Sequence, residues 1–219
     1  MTTTLEQVRF NMIEQQIRPW EVLDPDVLSL LAVVRREDFV PSQYRALAFV
    51  DTEIPLPDGQ VMLSPKVEAR LLQEVHLSPD ERVLEVGAGS GHMAALLARK
   101  ALQVTTLEIR PTLAAMAAAN LRRAGVSNAS VREADGVHGL PGQAPFDAIV
   151  LSGSAATVPQ RLLEQLRIGG RLVAIVGDEP VMQAVLITRV AEQQFKRVVL
   201  FDTVAPRLQG FPQPARFRF

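Results

Sequence analysis

Three glycines at alternate positions are the residues whose type and spacing most directly indicate chemistry. Gly87, Gly89 and Gly91 follow an apolar run at residues 83–86, and Glu85 lies two positions before the first of them. Because glycine lacks a Cβ atom, the chain can turn sharply here and its backbone can approach a ligand closely. The alanine- and leucine-rich segment that follows predicts a helix whose N-terminus faces this turn. The pattern indicates a loop that holds a nucleotide-shaped ligand.

A second carboxylate lies at the distance that such a ligand would require. Glu108 ends a predicted strand at residues 103–107 and lies 23 positions beyond Glu85, counting from 85 to 108. An acid in this place can accept hydrogen bonds from both hydroxyls of a ribose. A dinucleotide fingerprint would put its third small residue at position 92, where this chain has His92. The spacing therefore favours a nucleoside-type cofactor and disfavours a nicotinamide enzyme.

Strands alternate with helices after residue 80, which is typical of crossover units and a parallel sheet. Strands are predicted near residues 82–86, 103–107, 129–132, 146–151 and 171–176. Helices are predicted at about residues 91–101, 111–124 and 158–167, the last ended by Gly169 and Gly170. Two further β-rich runs, at residues 185–190 and 198–204, predict an antiparallel pair at the sheet edge. The predicted fold class is α/β: a Rossmann-like, doubly wound, mostly parallel seven-stranded sheet with helices on both faces.

The first third of the chain is predicted to be a helical extension of this fold. Apolar residues at helical spacing predict helices over residues 5–17, 25–34 and 65–75. Pro19 is expected to close the first helix, and Ser64 is expected to cap the third. We therefore predict an N-terminal extension with an acceptor-side loop at residues 1–76 and a cofactor-binding core at residues 77–219.

Candidate ligand groups follow four consecutive predicted strands, and open sheets of this kind bind ligands outside the carboxyl ends of their strands. Asp135, after the third strand, could accept a hydrogen bond from an adenine amino group. The predicted cofactor-binding residues are Glu85, Val86, Gly87, Ala88, Gly89, Ser90, Gly91, Glu108, Ile109, Ala134, Asp135, Gly136 and Leu151.

Composition disfavours several other functions. The net charge is −1, with 23 basic and 24 acidic residues, so no electrostatic footprint for nucleic acid or anionic lipid is present. The chain has no cysteine, and its three histidines lack metal-ligand spacing, so each is expected to be a surface or packing residue. No apolar run approaches the ~18 residues of a membrane span. We expect a cytoplasmic protein that binds no metal, nucleic acid or membrane.

The G-x-G-x-G spacing with Glu85 upstream resembles motif I of the class I S-adenosylmethionine-dependent methyltransferases. Further segments resemble the protein-L-isoaspartate O-methyltransferases, which repair isomerised aspartyl residues; these segments are residues 15–18, 34–41, 51, 55, 59–60, 65, 135–136, 146–147, 169–173 and 176–177. The Arg-Glu-Asp-Phe-Val-Pro run at residues 36–41 is the most specific of them. The resemblance implies S-adenosylmethionine as cofactor, S-adenosylhomocysteine as product, and a carboxylate of a protein or peptide as methyl acceptor.

The chain departs from this family at the loop that the resemblance places beside the acceptor. Family members typically read Gly-Gln-Thr-Ile-Ser-x-Pro, with the serine near the transferred methyl group, whereas this chain has Val61 at the threonine position and Leu63 at the serine position. The predicted substrate-side loop is Gln60, Val61, Met62 and Leu63. Ser64 is the candidate catalytic residue, although neighbouring side chains of an extended segment point to opposite faces.

The altered loop leaves three interpretations open. The first is an isoaspartyl methyltransferase, whose carboxylate acceptor is already ionised at neutral pH and needs positioning rather than a general base. The second keeps the fold and cofactor and changes the acceptor to a small molecule, for which His138 is the one candidate base. The third is a non-catalytic cofactor-binding protein. Residues 203–208 weakly resemble a C-terminal family segment that holds the peptide, and residues 214–219 are assigned no role.

Overall fold

A seven-stranded sheet forms the centre of the protein in the computed structural model, which describes residues 4–213. The strands of the described residues are β1 (Ile54–Pro55), β2 (Val61–Met62), β3 (Arg82–Val86), β4 (Gln103–Glu108), β5 (Ala129–Glu133), β6 (Phe146–Ala155), β7 (Leu166–Asp178), β8 (Val181–Ala191) and β9 (Gln194–Asp202). The first two form a separate antiparallel hairpin, and the other seven pair in the order β5-β4-β3-β6-β7-β8-β9.

Five strands of this sheet run parallel, and β8 and β9 add an antiparallel pair at one edge, as predicted. The strand order reverses beside β3, because β4 lies on one side of it and β6 on the other. A crevice opens at the carboxyl ends of the strands at such a switch point, and open α/β sheets bind their ligands there. The fold is the predicted Rossmann-like one.

Six α-helices lie in the described residues: α1 (Leu5–Met12), α2 (Pro25–Val33), α3 (Pro65–Glu74), α4 (His92–Lys100), α5 (Pro111–Arg123) and α6 (Gln160–Leu163). A π-helical turn, Ile13–Ile17, extends α1, and short 3₁₀ turns occupy Arg18–Trp20, Arg36–Asp38, Ser42–Phe49, Pro57–Gly59, Gly136–His138 and Pro141–Gln143. No helix of these residues has the length and apolar composition needed to cross a bilayer. The described residues also hold no cluster of three or more acidic or histidine side chains suited to a metal.

Two hydrophobic clusters cover the two faces of the sheet. Successive strand residues face opposite sides, so Val83 and Val150 join one cluster, while Leu84 and Ile149 join the other. The N-terminal helices belong to the first cluster, where Ile17 is fully buried. Each buried aliphatic side chain contributes about 1.5–3 kcal/mol to folding. The N-terminal extension is thus fixed to the sheet by shared apolar packing, whereas the domain boundary at residues 76 and 77 stays a prediction.

The predicted helix over residues 158–167 is wrong. Helix α6 ends at Leu163, and Gly169 and Gly170 lie inside β7 instead of ending a helix. A Cβ atom on Gly170 would come within 3.1 Å of three backbone carbonyl oxygens, so the chains approach closely at this point. Pairing of β7 with β6 begins at Leu166, and tertiary pairing here outweighs local helix propensity.

The first helix ends at the predicted residue. Helix α1 and its π-helical turn stop at Ile17, and a separate 3₁₀ turn that includes Pro19 follows as far as Trp20. Proline is tolerated in the first turn of a helix, where its missing N–H has no partner to lose. The segment ends at Glu21, whose φ of 61° is left-handed. The other predicted strands and helices are confirmed, although β6, β8 and β9 begin or end several residues from the predicted positions.

Candidate functional site

The glycine loop joins β3 to α4 in a conformation that its sequence requires. The φ angles of Gly87, Gly89 and Gly91 are 93°, 51° and 83°, all in the left-handed region that favours glycine. A Cβ atom on Gly91 would lie 3.1 Å from the carbonyl oxygen of Ala117, so Gly91 lets α4 pack closely on α5. The first two glycines shape the ligand-facing bend, and the third fixes the helix behind it.

Glu108 ties this loop to the neighbouring strand. Its Oε2 accepts a hydrogen bond of 2.9 Å from the backbone N–H of Gly89, and its Oε1 accepts one of 3.1 Å from the N–H of Arg110. The backbone N–H groups of Gly87 and Ala88 both donate to the carbonyl of Leu107. A carboxylate oxygen can accept more than one hydrogen bond, so Glu108 retains capacity for two hydroxyl groups of a ligand.

A cleft of about 650 Å³, including its open mouth, lies at this end of the sheet. The sequence-predicted residues that line it are Val86, Gly87, Gly89, Glu108, Ile109 and Gly136, together with Gln60, Val61 and Leu63 of the substrate-side loop. The structure therefore brings the glycine loop, Glu108 and the substrate-side loop together around one cleft. The substrate-side loop lies about 24 residues or more from both the glycine loop and Glu108 in sequence.

A smaller pocket lies beside the cleft and shares Val61, Leu63, Gly87, Gly89 and Ser152 with it. Four more predicted residues line this pocket: Glu85, Ala88, Ser90 and Met62. His92 and Glu68 line it as well. Predicted cofactor-side and acceptor-side residues thus continue from the cleft into a buried polar space.

Glu85 is fully buried in the wall of that pocket. Its Oε1 accepts a hydrogen bond of 2.7 Å from the Ser152 hydroxyl, whereas its Oε2 has no partner. Burial raises the pKa of Glu85 to about 8, and the nearby carboxylates of Glu68 and Glu108 act in the same direction. A positively charged group beside Glu85 would favour the ionised form of this carboxyl group and lower its pKa.

A buried polar network holds the end of the substrate-side loop. The Arg36 guanidinium donates 2.6 Å to the carbonyl oxygen of Leu63 and also pairs with the carboxylate of Glu68. The same carboxylate contacts Nδ1 of His92 at 3.1 Å. Burial acts to raise the pKa of Glu68, but Arg36 and His92 outweigh it and hold that pKa below its ordinary value. Through the carboxylate of Glu68 on α3, the network links Arg36 to His92 at the start of α4.

The segment at residues 203–211, which we call the strap, crosses the open side of the cleft. Ser154 anchors it, because its N–H donates to the carbonyl of Pro206 and its carbonyl accepts from the N–H of Leu208, both at 2.8 Å. The Leu208 side chain lies 2.8 Å from where a Cβ atom of Gly87 would be. The strap therefore forms a wall against the glycine loop.

Five predicted site residues line neither cavity: Ser64, Gly91, Ala134, Asp135 and Leu151. Asp135 accepts a hydrogen bond of 3.0 Å from the N–H of Val137, and Gly210 of the strap lies against its carboxylate. Ser64 holds the N-cap position of α3, as predicted, but its hydroxyl makes no capping hydrogen bond. A direct catalytic role for Ser64 would need movement of the loop.

The lining residues outside the predicted cofactor-binding and substrate-side sets come from three places: Leu107, Arg110 and Leu113 around the end of β4, Ser152 and Gly153 within β6, and Pro206, Arg207, Leu208 and Gln209 of the strap. Ser152 and Gly153 follow the predicted end of the fourth strand of the core, and this position at the strand end indicated them as candidate ligand groups. For the strap, the only signal in the sequence was the weak resemblance of residues 203–208 to a C-terminal segment of the family. His138 is exposed and does not line the cleft.

The arrangement fits an adenosyl cofactor with a charged amino-acid end. The glycine loop permits close backbone approach, Glu108 can accept from a ribose, and buried Glu85 has one oxygen without a partner. Fold and site together define a Rossmann-like α/β protein of the class I methyltransferase type. The chain belongs to the protein-L-isoaspartate O-methyltransferase family, whose description, "Protein-L-isoaspartate(D-aspartate) O-methyltransferase", matches residues 7–204.

Individual relatives agree with the family match. The chain is 42% identical over 207 residues to a protein-L-isoaspartate O-methyltransferase of Rhodopseudomonas palustris, covering 93% of this chain and 95% of that protein. It is 40% identical to the enzyme of that name from Koribacter versatilis, covering 89% and 87%. The fold is shared by a solved structure from Plasmodium falciparum, described as a protein-L-isoaspartate O-methyltransferase in complex with S-adenosyl-L-homocysteine. The TM-score is 0.80 at 20% identity, and the match covers 92% of this chain and 98% of that chain.

Proposed function

We propose that this protein transfers the methyl group of S-adenosylmethionine to the carboxylate of isoaspartyl residues in peptides and proteins, as a repair enzyme. One observation carries the proposal: a chain 42% identical to a named isoaspartyl methyltransferase over nearly its full length also has a cleft that joins the glycine loop to Glu108. When bound, the cofactor supplies an electrophilic methyl group on a sulfonium.

The cofactor side would be held by four features of the chain. The glycine loop lets the backbone approach the ligand, and Glu108 accepts from the ribose hydroxyls. Glu85 pairs its free oxygen with the ammonium group of the methionine end, which also favours ionisation of its carboxyl group. Ile109 and Gly136 line the part of the cleft where an adenine would lie.

The acceptor side needs to position an anion and exclude water. A carboxylate is already ionised at neutral pH, so no general base is required. Held close to the methyl group and partly stripped of water, it reacts with a lowered barrier. Val61 and Leu63 give this part of the cleft an apolar wall. We assign the acceptor side to the N-terminal extension and its substrate-side loop within residues 1–76, together with the strap, and the cofactor side to the rest of the core of residues 77–219.

Transfer of tritiated methyl groups to an isoaspartyl peptide tests the proposal, with the same peptide containing ordinary aspartate as the matched control. The expected result is methyl incorporation into the isoaspartyl peptide, with little into the control. If the purified protein binds S-adenosylhomocysteine but labels neither peptide, the isoaspartyl acceptor is wrong.

The two apolar residues of the loop favour one second candidate. Val61 and Leu63 stand where family members typically carry hydroxyls, and both line the cleft. A smaller carboxylate-bearing acceptor would then take the place of the isoaspartyl residue, with the same cofactor. A screen of low-molecular-weight carboxylic acids as methyl acceptors separates this candidate from the first.

A further inference from the structure

Arg207 is a cation on the acceptor side of the cleft, in the segment that weakly resembles the peptide-holding segment of the family, and neither that resemblance nor the cofactor chemistry gives its side chain a role. It belongs to the strap and lines the cleft together with Leu63 and Ser152. Its Nη2 donates to the carboxylate of Asp178, the last residue of β7, and its Nη1 is buried without a hydrogen-bond partner. A buried guanidinium N–H without a partner is costly, because its water has been removed and nothing replaces it.

The position of Arg207 is fixed from both sides of its backbone. Ser154 bonds the two residues that flank it, accepting from Leu208 and donating to Pro206, and the Ser154 hydroxyl donates 2.7 Å to the carbonyl of Ala205. Asp178 then holds one edge of the guanidinium. Because a guanidinium presents five N–H donors in a planar fork, the edge that Asp178 leaves open remains available to a second carboxylate.

Among the described residues, the cleft lining holds two cations that could attract an anionic acceptor, and Arg207 is one of them. Among the residues that line the cleft, Arg110 is the other cation, and its own backbone is bonded to Glu108 at the ribose side. Arg207 is therefore the cation placed on the opposite side, toward Ser152 and the strap.

We propose that Arg207 binds the carboxylate of the methyl acceptor, and that this contact replaces the hydroxyls absent at positions 61 and 63. The inference rests on the proposed function, and it deepens that function by assigning the anion-recognising group of the same site. Arg207 acts in binding and specificity. Val61 and Leu63 supply the apolar wall, and Asp178 orients the guanidinium.

A pair of peptides that differ in one group tests the inference directly. One contains an isoaspartyl residue, and the other has a carboxamide in place of the free α-carboxylate of that residue. Binding of each is measured by calorimetry with S-adenosylhomocysteine present, for the unmodified protein and for Arg207→Met, Arg207→Lys and Arg132→Met. Arg132 lies exposed on β5, where it does not line the cleft, and serves as the matched control.

The unmodified protein and the Arg132→Met variant are expected to bind the carboxylate peptide roughly tenfold or more tightly than the carboxamide, which is the effect of about one charge-assisted hydrogen bond. Arg207→Met should abolish this preference, and Arg207→Lys should restore part of it, because lysine keeps the charge and loses the fork. The affinity for S-adenosylhomocysteine should stay within about twofold in all variants.

Three results would overturn the inference: equal binding of the two peptides by the unmodified protein, an unchanged preference in Arg207→Met, or a loss of cofactor affinity in Arg207→Met that matches its loss of peptide affinity. Failure of the proposed function has a different signature. In that case the unmodified protein prefers the carboxylate peptide and loses this preference with Arg207, yet transfers no tritiated methyl group to it.

Discussion

The two walls of the cleft are built by different means. The cofactor wall consists of the glycine loop at residues 85–91 and the strand end at residues 107–110, and adjacent parallel strands bring these two segments together. The acceptor wall consists of the loop at residues 60–63 and the strap, neither of which lies in the main sheet. The cofactor wall therefore follows from the sheet, whereas the acceptor wall depends on contacts that fix two irregular segments: buried side chains at the loop, and hydrogen bonds to Ser154 at the strap.

Arg36 illustrates that dependence. It reaches the carbonyl of Leu63, 27 residues away in sequence, and the carboxylate of Glu68, 32 residues away, and it is almost fully buried. No backbone pairing with the main sheet holds Leu63 in place, because the hairpin β1–β2 ends at Met62. The acceptor wall can consequently change without loss of the cofactor wall, and the substitutions at positions 61 and 63 fall there.

The largest effect is expected from Arg36→Met, which removes one member of a buried ion pair. Leaving the buried Glu68 charged without its guanidinium partner, with His92 still beside it, should lower the free energy of unfolding by about 3–5 kcal/mol. Urea denaturation measures the change. The matched control is Arg35→Met, whose side chain is 62% exposed beside Asp38, and which should cost less than about 1 kcal/mol. Equal losses in the two variants would show that the network does not fix the acceptor wall.

Glu108→Ala tests the cofactor wall. Two hydrogen bonds from ribose hydroxyls to a charged group would be lost, so the affinity for S-adenosylhomocysteine should fall about 100-fold. Isothermal calorimetry gives the value. Glu133→Ala is the matched control, because Glu133 pairs with Glu108 in register on the neighbouring strand and is exposed. If affinity is retained in Glu108→Ala, the ribose role of this acid is wrong.

The difference between the two walls also explains which features could be predicted from the sequence. The glycine spacing, Glu108 and the alternation of strands and helices follow from local patterns, and these predictions required only that parallel strand ends meet at one edge. The Arg36 network and the strap required knowledge of contacts across at least 24 residues, which no periodicity encodes. The wrong helix at residues 158–167 has the same origin, because pairing with β6 determines β7 from Leu166 onward.

The prediction made for His92 is correct but incomplete. Its lone position predicted a surface or packing residue, and the side chain is indeed buried against Phe39, with ring centres 5.3 Å apart. Its contact with Glu68, however, places it in the network that supports the acceptor wall. Glu68 lies 24 residues earlier on α3, and nothing in its helical spacing indicates that its carboxylate is buried.

Leu63→Ser tests the acceptor wall. It restores a hydroxyl at the position where family members typically carry serine, so kcat/KM for an isoaspartyl peptide should rise about tenfold, as expected for one hydrogen bond to a charged group. Leu63→Ala is the matched control, because it removes the same bulk without adding a donor. A similar gain in both variants would mean that space, not hydrogen bonding, limits the acceptor. Cofactor affinity should change little in either.

The smallest effect expected concerns the buried acid of the cofactor wall. The pKa of Glu85 is raised from an ordinary value of 4.5 to about 8, so between these values the folded protein keeps a proton that the unfolded chain releases. The stability that this proton provides is therefore complete below pH 4.5 and is lost as the pH rises toward 8. The slope should not exceed about 1.4 kcal/mol per pH unit. Urea denaturation at pH 6 and pH 7, without cofactor, measures it.

Glu85→Gln provides the control, because an amide keeps the shape and can still accept from the Ser152 hydroxyl, yet does not titrate. The variant should lose the decline between pH 6 and pH 7. The pKa of Glu81 is shifted in the opposite direction. Burial acts to raise this pKa, but hydrogen bonds from Arg171 and from the N–H of Ser78 outweigh burial and lower it. The stability that Glu81 contributes is therefore lost only in acid. A decline that persists unchanged in Glu85→Gln would assign the titration to another group and remove the proposed partner for the cofactor's ammonium.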